Sequence, residues 1–160
     1  EKKHFFYGID EIKDMCDIAT KNNKKNKNVK ILNKKIEDIK FKKSSLITSF
    51  YTMQFIHPSK RQNIFNKIYK NLNWSGAFIM FEKVRAPDAR FQDITMQIYN
   101  DYKIEQGFTS EEIIAKSMSL KGVMDPFSSA ANLEMLKRAG FKDIMSILKF
   151  LNFEGFLAIK

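Results

Sequence analysis

Ser45-Leu-Ile-Thr-Ser-Phe50, Tyr51-Thr-Met-Gln-Phe-Ile56, Ser59-Lys-Arg-Gln62 and Ala77-Phe-Ile-Met-Phe81 follow one another within a single stretch, residues 45–83, and their reading decides the fold. The first segment is an apolar strand and the second a loop. Ser59 and Gln62 stand three residues apart, the spacing of a capping box, and predict the start of a helix. Ile64, Phe65, Ile68, Tyr69 and Leu72 then recur at the spacing of one buried helical face. Asn73-Trp-Ser-Gly76 predicts a turn, and Ala77–Phe81 is a continuous apolar run that suits a strand covered on both faces. Strand, helix and strand in this order form a βαβ unit, the building block of open α/β sheets, which bind ligands at the carboxyl ends of their strands.

Outward from this unit the alternation continues. His4-Phe-Phe-Tyr-Gly-Ile9 is a short strand ending in Asp10, followed by a helix with Ile12, Met15, Cys16 and Ala19 on one side. Val29-Lys-Ile-Leu32 is a further strand. Ala86-Pro-Asp88 opens a helical stretch to about Ile104, and Thr109-Ser-Glu-Glu112 is a second capping box leading a helix to about Ser119. Residues 127–138 predict a helix that Gly140 terminates. Residues 142–149 and 152–160 read as a closing hairpin. The predicted order is β-α-β-β-α-β-α-α-α-β-β, an α/β sheet with an antiparallel end.

Composition bounds the function. The chain of 160 residues is 44% hydrophobic, enough for a real core. Its apolar runs fall far short of the roughly 18 residues of a membrane span. One cysteine, Cys16, excludes an internal disulfide framework and points to the cytoplasm; with only two histidines, no metal site is expected. The net charge of +10 comes mostly from lysine, with abundant asparagine, a pairing that an AT-rich genome produces by codon bias. The densest cluster, Lys21–Lys30, reads as a loop with a basic rim, because it lacks the interleaved aromatics of a single-strand-binding platform.

Asp10, just past a strand end, is placed to accept hydrogen bonds from both hydroxyls of a ribose. An Asp that caps the following helix would look the same. Glu82-Lys83, at another strand end, reads as a surface pair or as groups facing a substrate. His57-Pro58 reads as a turn, and Tyr99, Tyr102 and Phe108 as core or as a pocket wall.

Tyr7-Gly-Ile-Asp10, the unit above and Arg138-Ala-Gly-Phe141 together resemble a class I S-adenosylmethionine-dependent methyltransferase. Tyr51–Gln62, Lys67–Asn73, Phe81-Glu-Lys83, Gly107-Phe108, Glu112-Ile113, Val123-Met124 and Asn152-Phe-Glu154 narrow the resemblance to the carboxy-S-adenosyl-L-methionine synthase family, from about residue 5 to 160. The resemblance implies a Rossmann-like sheet with helices on both faces and a C-terminal antiparallel hairpin. The first strand and its Gly-rich loop are absent from this chain. In the family's sheet that strand lies centrally, so its absence is expected to split the sheet. Residues 1–160 are therefore read as a single, incomplete S-adenosylmethionine-binding domain, a fragment or the ordered part of a longer protein.

The resemblance also implies a function. Family members make carboxy-S-adenosyl-L-methionine from S-adenosyl-L-methionine and prephenate, for tRNA wobble-uridine modification, and are commonly homodimers. Asp10 matches the ribose-binding acid, with Glu11 beside it, and Ile36 matches the apolar residue next to the adenine. No catalytic residue is assigned. Four positions depart from the family: Glu11 stands where it has an Asn or a similar residue, Lys35 where it has an Asp, Phe50 where it has an Asn, and Ser117 where it has an Arg that holds the acquired carboxylate. Ser cannot supply the charge or the bidentate geometry of an Arg. A conventional methyltransferase acting on a small molecule or RNA, and a non-catalytic relative with the same fold, are the alternatives.

Overall fold

The computed structural model describes residues 4–160. The chain divides into two compact units, one up to Phe41 and one from Lys42 onward.

In the first unit, β1 (Phe6–Asp10) and β2 (Val29–Asn33) pair in parallel, with Asp10 opposite Asn33. Between them runs α1 (Lys13–Asn22). Of the apolar side expected on this helix, Cys16 is buried, whereas Ile12 and Met15 are more than half exposed. A 3-10 turn at Ile36–Asp38 follows β2, and Ile39 beyond it is buried.

The second unit is built on a four-stranded sheet in the order β3-β4-β6-β5. Here β3 (Ser44–Phe50) and β4 (Leu72–Lys83) are parallel and joined through α2 (Pro58–Asn71), as the βαβ reading expects. The hairpin of β5 (Asp143–Phe150) and β6 (Phe153–Ile159) completes the sheet, with β6 antiparallel to β4. Three helices lie between β4 and β5: α3 (Ala89–Glu105), α4 (Ser110–Leu120) and α5 (Ser129–Ala139). The order of elements is the one the sequence predicts. The described strands form two separate sheets, one of two strands and one of four.

One face of the larger sheet carries the core. Alternate residues of β4, Phe78, Met80 and Glu82, are buried, opposite Ala158, Phe156 and Glu154 of β6. α2 contributes Ile64, Phe65 and Ile68, and α5 contributes Met135 and Leu136, all at 2% exposure or less. Edge contacts from Phe65 to Phe78 and from Tyr69 to Phe141 close this layer. Gly140 ends α5 with φ at +119°, and a Cβ there would stand 2.7 Å from the Tyr69 ring. The position needs glycine twice over, for conformation and for space.

The other face departs from the sequence reading. Ala77, Ile79 and Phe81 are only half-buried, and Leu46, Phe50 and Met145 stay largely exposed. An apolar run alone does not say which elements will cover it. The partial cover comes from α3, whose Tyr99 meets Phe153 and whose Tyr102 meets Phe150. Helices thus flank both faces.

Two local expectations also change. α2 starts at Pro58, with His57 rather than Ser59 as its N-cap; His57 Nδ1 accepts the Ser59 amide. Proline suits the first helical position because it has no amide to leave unpaired. The predicted turn at residues 73–76 lies within β4 as an irregularity, with Ser75 at φ +58° and the pairing register jumping between Ser44–Leu72 and Leu46–Ala77. The Thr109–Glu112 capping box, by contrast, is present with both of its hydrogen bonds.

Candidate functional site

The carboxyl end of β1 presents the first group of residues. Asp10 ends the strand, and its backbone carbonyl accepts the Lys34 amide at 2.9 Å. The Asn33 side chain donates to the carbonyls of both Asp10 and Glu11, at 3.1 and 2.9 Å. This asparagine, directly across the ladder, fixes the turn that follows the strand. Asp10 Oδ1 accepts the Ile12 amide at 2.8 Å, so the local role considered for this residue is realised in a turn just ahead of α1. Oδ2 makes no hydrogen bond among the described residues, and the side chain is exposed, as is that of Glu11. Ionised carboxylates only accept, which matches the donors of a vicinal diol. Ile36, half-buried at the head of the 3-10 turn, supplies an apolar surface in the same unit.

The basic loop sits elsewhere. Lys25, Asn26, Lys27 and Asn28, with Phe6 and Val29, border an open hollow of about 460 Å³. Phe6 and Val29 are the first residues of their strands, so the hollow lies at the amino ends, opposite Asp10. Parallel sheets place their ligands at the carboxyl ends, so this rim is a poor candidate site.

In the second unit, the carboxyl ends of β3 and β4 are held together by a buried polar network. Glu82 is 2% exposed, which overturns the surface-pair reading. Its Oε1 accepts the amides of Thr52 and Met53 at 3.1 and 2.9 Å, and its Oε2 that of Gln54 at 2.9 Å. Burial pushes this carboxyl up to about 7, against the pull of these three amides and the Arg61 charge. Arg61, also 2% exposed, donates from Nε to the Ile56 carbonyl at 2.8 Å and from Nη2 to the Asp125 carbonyl at 2.6 Å. Its guanidinium lies 4.2 Å from the centre of the Phe127 ring. Gln54 completes the network: its Oε1 accepts the Lys83 amide at 2.9 Å and its carbonyl accepts the Asp125 amide at 2.8 Å.

This network sets the loop after β3, whose first residue, Tyr51, has φ at +52°. Around the loop lie aromatic rings. Phe50 stacks on Phe81 at 5.3 Å, and Phe81 in turn lies where a Cβ on Gly155 would meet it at 2.6 Å. Tyr51 and Tyr99 both approach Phe153 edge-on, at 5.9 and 5.3 Å. Lys83 and Lys103 stand over the Tyr99 ring. Ser117 and Lys116 are exposed on α4. Gln54, Arg61 and Glu82 stood within the segments that carried the resemblance, but no spacing rule marked them as one network. Among the described residues no acidic, histidine and cysteine side chains converge to hold a metal ion, and no helix is long and apolar enough to cross a membrane.

No family model matches the chain. Curated relatives do. The carboxy-S-adenosyl-L-methionine synthase of Staphylococcus epidermidis is 41% identical over 155 residues, which cover 97% of this chain and 68% of that protein. The chain belongs to the carboxy-S-adenosyl-L-methionine synthase family. The synthase of Campylobacter lari is 40% identical over 154 residues, covering 96% of this chain and 66% of that one. The chain thus spans about two thirds of the length of its relatives in the carboxy-S-adenosyl-L-methionine synthase family. Among solved structures, the YcgJ protein of Bacillus subtilis matches with a TM-score of 0.70 at 12% identity, over 96% of this chain and 81% of that one. Human N-acetylserotonin methyltransferase, solved with S-adenosylmethionine, matches with a TM-score of 0.60 at 12% identity, over 97% and 39%. At such identities these likenesses concern the fold, which is Rossmann-like and that of the class I methyltransferases.

Proposed function

We propose that the protein acts as a carboxy-S-adenosyl-L-methionine synthase, with S-adenosyl-L-methionine as the group donor and prephenate as the source of the carboxyl. The observation that carries this reading is the 41% identity to a synthase over nearly the whole chain. S-adenosyl-L-methionine, when bound, supplies an activated sulfonium methyl. Asp10 and Glu11 would hold its ribose hydroxyls, and Ile36 would lie against its adenine. The Glu82–Gln54–Arg61 network keeps the loop after β3 in one conformation. Such positioning is the main contribution a protein can make to a reaction that needs no strong acid or base.

The reading extends to a place in tRNA wobble-uridine modification, a cytoplasmic location in keeping with a single unpaired cysteine, and a homodimer as the working form. Ser117 favours a second reading, a conventional methyltransferase, since a plain methyl transfer leaves no carboxylate to be held there. Mass spectrometry of the small molecule released on denaturing the purified protein tests both. Carboxy-S-adenosyl-L-methionine supports the synthase. S-adenosyl-L-methionine or its demethylated product supports the methyltransferase, and absence of either, with no calorimetric binding, defeats both.

A further inference from the structure

Among the described residues, two ammonium groups near the carboxyl end of β4 have no acidic side chain as a partner. Lys83 closes the strand and Lys103 lies in the last turn of α3; both are half-buried. Their Nζ atoms stand 5.4 and 4.6 Å from the centre of one ring, that of Tyr99. Tyr99 and Lys103 are four residues apart on α3 and therefore share a helical face. Neither lysine pairs with an acidic side chain among the described residues, whereas Lys149 on the neighbouring hairpin has Glu154 at 2.6 Å and Arg85 has Asp125 at 3.3 Å.

A ring face offsets only a small part of what burial takes from an ammonium, and a second cation over the same ring adds repulsion. Both lysines are held below the usual range by burial, and Lys83 further by Lys103. A bound anion near both would relieve both penalties. The surroundings specify its body: Tyr51, Tyr99 and Phe153 form a chain of edge-on rings beside the two charges. A nucleic-acid surface would present a broad stripe of exposed cations. This site instead has two recessed charges against an aromatic wall, which fits one carboxylate attached to a flat or apolar body.

We propose that Lys83 and Lys103, walled by Tyr51, Tyr99 and Phe153, form a binding subsite for a small organic carboxylate. Its assignment to the co-substrate of the synthase rests on the function proposed above; the anion site does not. The subsite lies on β4, β6, α3 and the loop after β3, and uses neither Ser117 nor Asp10.

The test is a titration of the protein followed by NMR of isotope-labelled dimethyl-lysine signals. Lys83→Gln and Lys103→Gln identify the two signals, and the remaining lysine signals report on folding in each variant. Phenylacetate is the probe, with neutral phenylacetamide and inorganic phosphate as controls. Phenylacetate is expected to move the two signals selectively. Its affinity should fall by about tenfold or more in Lys103→Gln and be retained in Lys103→Arg, which keeps the charge. Equal shifts with phenylacetamide, tighter binding of phosphate, or unchanged affinity in Lys103→Gln would each overturn the proposal. Titration of the same sample with S-adenosyl-L-methionine separates the two readings. Phenylacetate binding without cofactor binding leaves the subsite standing and removes the synthase; cofactor binding without phenylacetate binding does the reverse.

Discussion

Gln54 and Glu82 clasp each other's segments: the Gln54 amide donates to Glu82 Oε2, and Gln54 Oε1 accepts the amide of Lys83, each at 2.9 Å. The loop after β3 is thereby tied to the last two residues of β4 from both sides. Strand ends are where such sheets bind ligands, so this clasp sets the shape of the ligand-facing edge. Glu82 supplies acceptors for three successive amides that would otherwise be buried without partners.

Glu82 gives the folded protein a specific pH response. Its carboxyl is raised from 4.5 to about 7, so between these values the folded state holds a proton that the unfolded state has released. This contribution to stability is full below pH 4.5, falls as pH rises toward 7, and is then flat, for a total of about 3 kcal/mol. Urea denaturation of native protein and of Glu82→Gln should show it: the variant loses this slope. It is also less stable at pH 5, by about 1–3 kcal/mol, because its amide NH₂ must face a backbone N–H.

Arg61 ties α2 to two other segments, through three carbonyls, with a planar fork. Replacing it by lysine leaves one nitrogen where Nε and Nη2 together serve the carbonyls of Ile56, Gln54 and Asp125. Arg61→Lys is expected to cost about 2–4 kcal/mol, read from the denaturation midpoint, although charge is conserved. A change below about 0.5 kcal/mol would mean that the network does not set stability.

Asp10 separates a local role from a ligand role by chemistry. Asp10→Asn keeps an oxygen for the Ile12 amide but loses the charge and one acceptor. Stability should stay within about 0.5 kcal/mol, while calorimetry should find S-adenosyl-L-methionine bound at least about tenfold more weakly. Native affinity in this variant would remove Asp10 from the ribose site.

Gly140→Ala meets both a left-handed backbone and the Tyr69 ring at 2.7 Å. A loss of about 1–3 kcal/mol in thermal or chemical denaturation is expected. An unchanged midpoint would show that Tyr69 can move aside and that the end of α5 can find another conformation.

The order of elements was legible because it rests on local chemistry. The spacing of Ile64, Phe65 and Ile68, the Thr109–Glu112 box and the position of Gly140 act within a few residues, and each does in the structure what its pattern implies. The place of Asp10, at a strand end ahead of a helix, was equally legible, because it is a local event. The N-cap of α2 lies two residues before the one the capping box implies, since Pro58 needs no amide partner and His57 reaches the helix first.

The second part of the site was not legible. Glu82-Lys83 follows an apolar strand in a way that an exposed pair would share. What buries Glu82 is a loop 28 to 30 residues earlier in the chain, and what crowds Lys83 is a face of the next helix, 16 to 20 residues later. The sequence by itself determined the elements, their order and the family. Tertiary structure alone decided which charges are buried, which are satisfied and which stand together unpaired. Desolvation depends on every atom packed around a group, and neighbours in space are not neighbours in sequence.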